Sequence, residues 1–393
     1  MKYVVVILDG ASGWPLAELG GKTTLQAAST PNLDALARIG TVGLAQTVPQ
    51  GAEPSSAAAC TSILGYDPEA DYIGRGAIEA ASMGIELADD EVALRLNLVT
   101  IVDDVMASYA AGHITTEESN AIVGSLADSL DDDTFRLYPG VAYRHILVVK
   151  GHPELLDLSY TPPHDISDKP VAPYLPSGDG AELLLDYMQR AKALLLNVGV
   201  NVCRANEGNL PATDVWPFWP GVRPAGMVPF AEKRGTSAAM TSGVDLLNGL
   251  AVLAGIDRLQ IAGVTDGSDT DYAGQAEGAL AALADHDLVV IHVESPDEEG
   301  HAGNAAGKVA AIEAIDREVV ARVRMCAEEI RILAMPDHPT PIEIKTHVGE
   351  PVPFVLAGPG IAHNGAPRFD EPCAEDTGLL VDPGRGVMDL LLG

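Results

Sequence analysis

Three apolar, β-branched runs in this chain each lead into an aspartate: YVVVILD into Asp9, VVIHVESPD into Asp297 and ILAMPD into Asp337. Such runs alternate with Ala- and Leu-rich stretches, among them GQAEGALAALADHD and KVAAIEAIDREVVARVRMCAEE. This alternation is the mark of an α/β fold, a mostly parallel sheet flanked by helices. Ligands of open parallel sheets collect beyond the carboxyl ends of the strands. Three acids far apart in sequence are therefore expected to meet there.

The runs predict strands over residues 3–8, 288–293, 330–335 and 352–357. A helix is predicted over 32–38, with Thr30 as N-cap and Pro31 at its first position. The middle of the chain has a different texture. Residues 91–100, 134–138 and 143–149 read as antiparallel strands, and Pro-rich segments follow at 161–176 and 211–229. At 393 residues the chain is long for one compact unit. The expected organisation is a core domain of residues 1–90 and 178–393 interrupted by a smaller α+β insertion at 91–177.

With 56 acidic and 24 basic residues the chain carries a formal charge of −32. Such a surface repels phosphate backbones and anionic lipid, so neither nucleic acid nor membrane is an expected partner. An anionic substrate has to be met by a local concentration of metal ions, Arg or Lys. The four cysteines, Cys60, Cys203, Cys326 and Cys373, show no CxxC spacing and read as free thiols of a reducing cytoplasm. The apolar run in MKYVVVILDG is too short for a signal peptide or a membrane span.

Histidines accompany two of the three acids. His301 lies four residues after Asp297, His338 follows Asp337 directly, and His347 comes nine residues later. A single strand-end aspartate is ordinarily a turn or cap residue; three aspartates and three histidines together point to metal. Mixed carboxylate and imidazole donors suit Zn²⁺ or Mn²⁺ better than Ca²⁺ or Mg²⁺ alone. His113, His145, His152, His286, His292 and His363 show no such arrangement and are read as structural or surface residues. A two-cation site is suited to phosphoryl transfer through a hydroxyl. Ser55 and Ser56, before a predicted helix in GAEPSSAAACTSILGYDP, are the candidates, and spacing leaves both open. Either could equally be a plain N-cap. No GxxxxGK[ST] nucleotide loop is present.

In order along the chain, DGASGWPLAELGGKTTLQAASTPNLDALA, LGYDP, YIGRGAIEAASMGIEL, YPGVAYRH, PPHD, HVESPDEEGH and MPDHPTPIEIKTH resemble the archaeal-type cofactor-independent phosphoglycerate mutases. That family belongs to the alkaline phosphatase superfamily of metalloenzymes. The resemblance implies an alkaline-phosphatase-like core with a substrate-capping insertion. It also implies two divalent ions, Mn or Zn with Mg as the other option, and no organic cofactor. One ion would be held by Asp9, Ser56, Asp337 and His338, the other by Asp297, His301 and His347. Counting back from LGYDP places the family's nucleophile on Ser56. His164 and Asp165 of PPHD would face substrate from the insertion, with Asp165 available to handle a proton. Arg75 and Arg144 would anchor phosphate or carboxylate, for which a guanidinium fork is suited.

The implied reaction is the glycolytic interconversion of 3- and 2-phosphoglycerate through a phosphoserine, without 2,3-bisphosphoglycerate. The partner is then a small phosphorylated metabolite; oligomeric state is not implied. Ser55, Ala57, Gly13, Trp14 and Cys60 stand where the family more often has other residues. These departures bear on the substrate more than on the metal ligands. The alternatives on the same site are transfer to a small alcohol such as homoserine, and hydrolysis by a metal-dependent phosphatase.

Overall fold

The computed structural model describes residues 1–71, 74–223, 227–326 and 329–393. The chain forms two compact units, residues 1–72 with 226–393, and residues 73–225. Among the described residues no helix is long and apolar enough to cross a membrane.

The first unit is built on an eight-stranded sheet. Its order is Leu380–Val381, Thr41–Ala45, Val352–Ala357, Ile330–Met335, Lys2–Leu8, Leu288–Val293, Ala238–Thr241 and Asp257–Arg258. All neighbours run parallel except around Val352–Ala357, which is antiparallel to both of its partners. Lys2–Leu8 is central, and Val4 through Leu8 are wholly inaccessible to solvent. A strand covered on both faces has no polar side to present, which is why it reads as one continuous apolar run. Leu8 pairs with Val293 and Ile7 with Met335, so the chain leaves all three strands at one level.

That register corrects one sequence reading. The Leu288–Val293 strand does not run on to Asp297; Glu294 is the acid at its end. Asp297 lies instead in the first turn of the helix Ser295–Ala302, with His301 four residues on and thus on the same helix face. The predicted helix at 32–38 is present as Pro31–Ile39 with Thr30 at the N-cap position, but the Thr30 side chain makes no capping hydrogen bond. Asp316 supplies that acceptor across the fold, its carboxylate accepting the N–H groups of Asn32 at 3.1 Å and Leu33 at 2.8 Å.

The second unit holds a five-stranded antiparallel sheet. Glu91–Val102 pairs with Arg144–Lys150 on one side and Asp214–Val222 on the other, and Val105–Ser108 and Phe135–Tyr138 complete it. This unit extends beyond the expected 91–177 span for two reasons. The segment WPFWPGV, part of a stretch read only as Pro-rich, is an edge strand, where a residue without N–H can be accommodated. The helices Arg75–Ser82 and Ala181–Leu195 also belong to it, the latter burying Leu184, Tyr187 and Ala191 in its core. Gly76 lets the former helix lie directly on the sheet: a Cβ there would stand 2.3 Å from the Ala93 carbonyl oxygen.

His145 in this sheet is buried and accepts the Gly140 N–H on Nδ1 at 3.0 Å. Burial, aided by the charge of Arg95, pulls its pKa from an ordinary 6.5 to about 3. The folded state thus keeps neutral a group that the unfolded chain protonates below pH ~6.5. Between pH ~6.5 and ~3 the unfolded state binds more protons, so stability falls as pH falls. We expect thermal melts to show a loss of a few kcal/mol across that window. His145→Asn, which keeps an acceptor for Gly140 and cannot titrate, should flatten the dependence; an unchanged pH profile in this variant would assign the loss elsewhere.

Candidate active site

The loops leaving the three central strands are tied to one another. Gly10 follows Asp9 with φ of +60°, and its N–H donates to Asp337 Oδ1 at 3.0 Å. A Cβ at Gly10 would stand 2.4 Å from Asp297 Oδ1 and 2.7 Å from Thr340 Oγ1. Only glycine fits both the backbone angle and the space. Lys308, fully buried, clamps the same loops by donating from Nζ to the carbonyls of Ser12 at 3.0 Å and Thr340 at 2.7 Å. Desolvation lowers its pKa to about 8.

The structure brings together all seven residues expected at the metal site. His338 Nε2 lies 3.2 Å from Ser56 Oγ, 3.3 Å from Asp337 Oδ2 and 3.6 Å from Asp9 Oδ1. Asp297 lies 3.1 Å from His301 Nε2 through Oδ2 and 3.5 Å from His347 Nε2 through Oδ1. The two groups adjoin, the His338 and His347 rings packing with centroids 4.0 Å apart. Asp9, Asp337 and His338 form one candidate ligand group; Asp297, His338 and His347 form another.

Hydrogen bonding fixes which nitrogen of each ring faces inward. The Thr340 hydroxyl donates its single proton to Asp297 Oδ1 and so accepts from His338 Nδ1, at 3.2 Å. His301 Nδ1 donates to the Lys345 carbonyl at 2.9 Å, and His347 Nδ1 reaches the Pro54 carbonyl at 3.4 Å. With the Nδ1 positions occupied, the three Nε2 atoms point inward, those of His301 and His347 lying 2.9 Å apart, the outer-shell arrangement of metal-binding histidines. Burial, reinforced by the charges of Asp337 and Asp297, pushes the Asp9 carboxyl well above its ordinary range. Its Oδ1 is buried with no hydrogen-bond partner. An orphaned carboxylate oxygen among imidazole nitrogens and further acids is a poor arrangement for bare side chains and a good one for divalent cations.

The two candidate serines separate cleanly. Ser55 is the N-cap of the helix Ser56–Ile63, its hydroxyl accepting the Ala58 N–H. Ser56, at the first helical position, is the one beside His338. Cys60, one turn further on, places its thiol 3.8 Å from Asp337 Oδ2 and is fully buried.

In the second unit a cationic and aromatic cluster surrounds Glu79. Arg75 Nε and Arg95 Nη1 each lie 2.8 Å from Glu79 Oε1. Arg75 stacks 4.1 Å above the Trp219 ring, and His164 packs 5.6 Å from the same ring. Burial, with the charges of Arg95 and Arg75 adding to it against an opposing one from Asp165, lowers the His164 pKa. Arg144 lies against Tyr143, and its charge reaches both Glu79 and Arg95. Asp165 is half-exposed in the short turn Pro163–Ile166, 3.6 Å from His164 Nε2. Two guanidiniums thus share one carboxylate with the charge of a third reaching it, a local excess of positive charge in a strongly acidic chain.

Sequence reasoning missed Arg95, Lys308, Thr340, Glu294 and His292. Arg95 left a signal, a lone charge inside the apolar run EVALRLNLV. His292 was set aside as structural or surface; it is buried with Nε2 2.7 Å from Asp9 Oδ2, and with Glu294 and Asp9 forms a third cluster of potential ligands.

The chain is similar to known proteins along its whole length. Residues 37–201 match the family described as 2,3-bisphosphoglycerate-independent phosphoglycerate mutase. The chain is 46% identical over 396 residues to the 2,3-bisphosphoglycerate-independent phosphoglycerate mutase of Methanothrix thermoacetophila, with all of both chains covered. It is 44% identical over 400 residues to a probable enzyme of the same name from Geobacter sulfurreducens, again over both full lengths. A solved protein of Pyrococcus horikoshii superposes with a TM-score of 0.85 at 29% identity, covering 100% of this chain and 96% of the other. The cofactor-independent phosphoglycerate mutase of Thermoplasma acidophilum superposes with a TM-score of 0.69 at 29% identity, covering 100% and 99%. Similarity at this level over the whole length decides the matter: the chain belongs to the 2,3-bisphosphoglycerate-independent phosphoglycerate mutase family.

Proposed function

We propose that this chain interconverts 3- and 2-phosphoglycerate by passing the phosphoryl group through Ser56. The observation that carries the reading is the Ser56 hydroxyl 3.2 Å from His338 Nε2, within a nest of three aspartates and three inward-facing imidazoles. Asp9, Ser56, Asp337 and His338 would hold one divalent ion and Asp297, His301 and His347 the other; Mn²⁺ or Zn²⁺ suits this nitrogen-and-oxygen set. When bound, such ions supply positive charge to nonbridging phosphate oxygens and make a serine hydroxyl easier to deprotonate.

The chain's own groups do the remainder. Ser56, at the start of its helix, presents its hydroxyl beside backbone N–H groups and the positive end of the helix dipole, a suitable environment for a phosphoryl group. We assign recognition of the substrate's anionic groups to Arg75, Arg144 and His164, with Arg95 bracing Glu79 beneath them. Asp165 is the proposed carrier of the proton exchanged at the glycerate hydroxyl. The four free thiols support placing the reaction in a reducing cytosol.

Metal-loaded protein should convert 3-phosphoglycerate to 2-phosphoglycerate, read by coupling to enolase, with neither 2,3-bisphosphoglycerate nor nucleotide added. Release of inorganic phosphate faster than isomerisation would make the protein a phosphatase. No turnover here, accompanied by ATP-dependent phosphorylation of homoserine, would make it a kinase.

A further inference from the structure

The mechanism above makes no use of His292, although its ring is fully buried directly behind Asp9. Its Nε2 lies 2.7 Å from Asp9 Oδ2 and its Nδ1 3.0 Å from Ser242 Oγ. We propose that His292 is a positioning residue which, backed by Ser242, holds Oδ2 of Asp9 by a hydrogen bond and leaves Oδ1 alone to meet a cation. The inference rests on the two-cation reading of the site.

Two roles are open to an imidazole between Asp9 and Glu294: ligand of a third cation, or hydrogen-bond donor. Spacing separates them. Donors sharing an ion at bond lengths of about 2.0–2.2 Å stand roughly 3–3.6 Å apart. The contacts of His338 with Ser56, Asp337 and Asp9, and of Asp297 with His301 and His347, run from 3.1 to 3.6 Å, and the Nε2 atoms of His301 and His347 stand 2.9 Å apart. The His292–Asp9 contact, at 2.7 Å, is the length of a charge-assisted hydrogen bond.

Proton placement agrees. His338, His301 and His347 have Nδ1 engaged with an oxygen and Nε2 turned inward. In His292 it is Nε2 that meets Asp9; with a cation on Oδ1 that carboxylate is ionised and has no proton to give, so this nitrogen then carries the hydrogen. Nδ1 then accepts from the Ser242 hydroxyl, whose oxygen is itself fixed by the Val244 N–H at 3.0 Å. Gln275 Nε2 holds the His292 carbonyl at 2.9 Å. Glu294 Oε2 competes for the same proton from 3.7 Å, and distance gives it to Asp9. The ring is therefore held at both ends in the donor orientation.

The test is Mn²⁺ titration of metal-stripped full-length protein by calorimetry, comparing wild type with His292→Ala, His292→Gln and Ser242→Ala. We expect wild type to bind two equivalents. In His292→Ala one of them should weaken about 10- to 100-fold, the usual effect of losing an outer-shell partner. His292→Gln, which returns an N–H near the Nε2 position, should recover most of the loss, and Ser242→Ala should fall between. An isotherm unchanged in His292→Ala overturns the proposal, as does a His292→Gln variant no better than alanine. A third equivalent bound by wild type and lost in both histidine variants would make His292 a ligand and also overturn it. Wild type binding no Mn²⁺ would sink the two-cation reading along with this one, whereas normal wild-type binding with indifferent variants sinks only the role of His292.

Discussion

Ser56→Ala is expected to lower phosphoglycerate interconversion by at least about 10³-fold, because the hydroxyl proposed to receive the phosphoryl group in the first half-reaction is then gone. Metal content should remain at two equivalents, since Asp9, Asp337 and His338 still converge. Its neighbour gives the contrast. Ser55 only caps the helix through Ala58 N–H, so Ser55→Ala should cost about 1 kcal/mol of stability with turnover largely retained. Steady-state rates and metal analysis of the two variants decide the matter. If Ser55→Ala is the inactive one, the nucleophile has been misplaced by one residue.

The second large effect is expected from the other ligand group. His301→Ala or His347→Ala should each remove one of the two Mn²⁺ equivalents and lower turnover by several orders of magnitude, as loss of a metal ligand commonly does. Chelation of the wild-type protein should abolish activity and lower its melting temperature. A cation that binds only the folded state stabilises it by about 2.7 kcal/mol at a concentration 100-fold above its dissociation constant. The destabilisation should be steep here because Asp9, Asp297 and Asp337 are buried side by side, and burial alone already pushes Asp9 toward protonation. Full metal stoichiometry in His301→Ala would show that this residue is not a ligand.

The parts of this molecule most legible in its sequence are those governed by local rules. The central strands announce themselves because a strand buried on both faces has to be apolar throughout. The candidate ligands stand out because Asp297 and His301 share a helix face at a four-residue offset, and Asp9, Asp337, His338 and His347 follow strand ends where little packing work falls to them. What stayed hidden depends on partners distant in sequence. Thr30 looks like a cap, yet Asp316 reaches the helix first. Asp297 looks like the end of a strand, and the strand stops at Val293 because Pro296 opens a helix there. WPFWPGV looks like a linker because proline usually ends strands, and its place at a sheet edge could not be read from composition. His292 sits inside LVVIHV with nothing in its spacing to single it out; only the neighbouring strand, carrying Asp9, gives it a role.

The order of strands in the larger sheet bears on how the protein is made. Lys2–Leu8 leaves the ribosome long before its two neighbours in the sheet, Leu288–Val293 and Ile330–Met335. At synthesis rates of about 5–20 residues per second the nascent amino-terminal segment waits on the order of tens of seconds for either neighbour. Residues 73–225, by contrast, are contiguous and can collapse while translation continues. Through that interval a strand that is apolar from Val4 to Leu8 lacks the neighbours that will bury it, which leaves it exposed to aggregation.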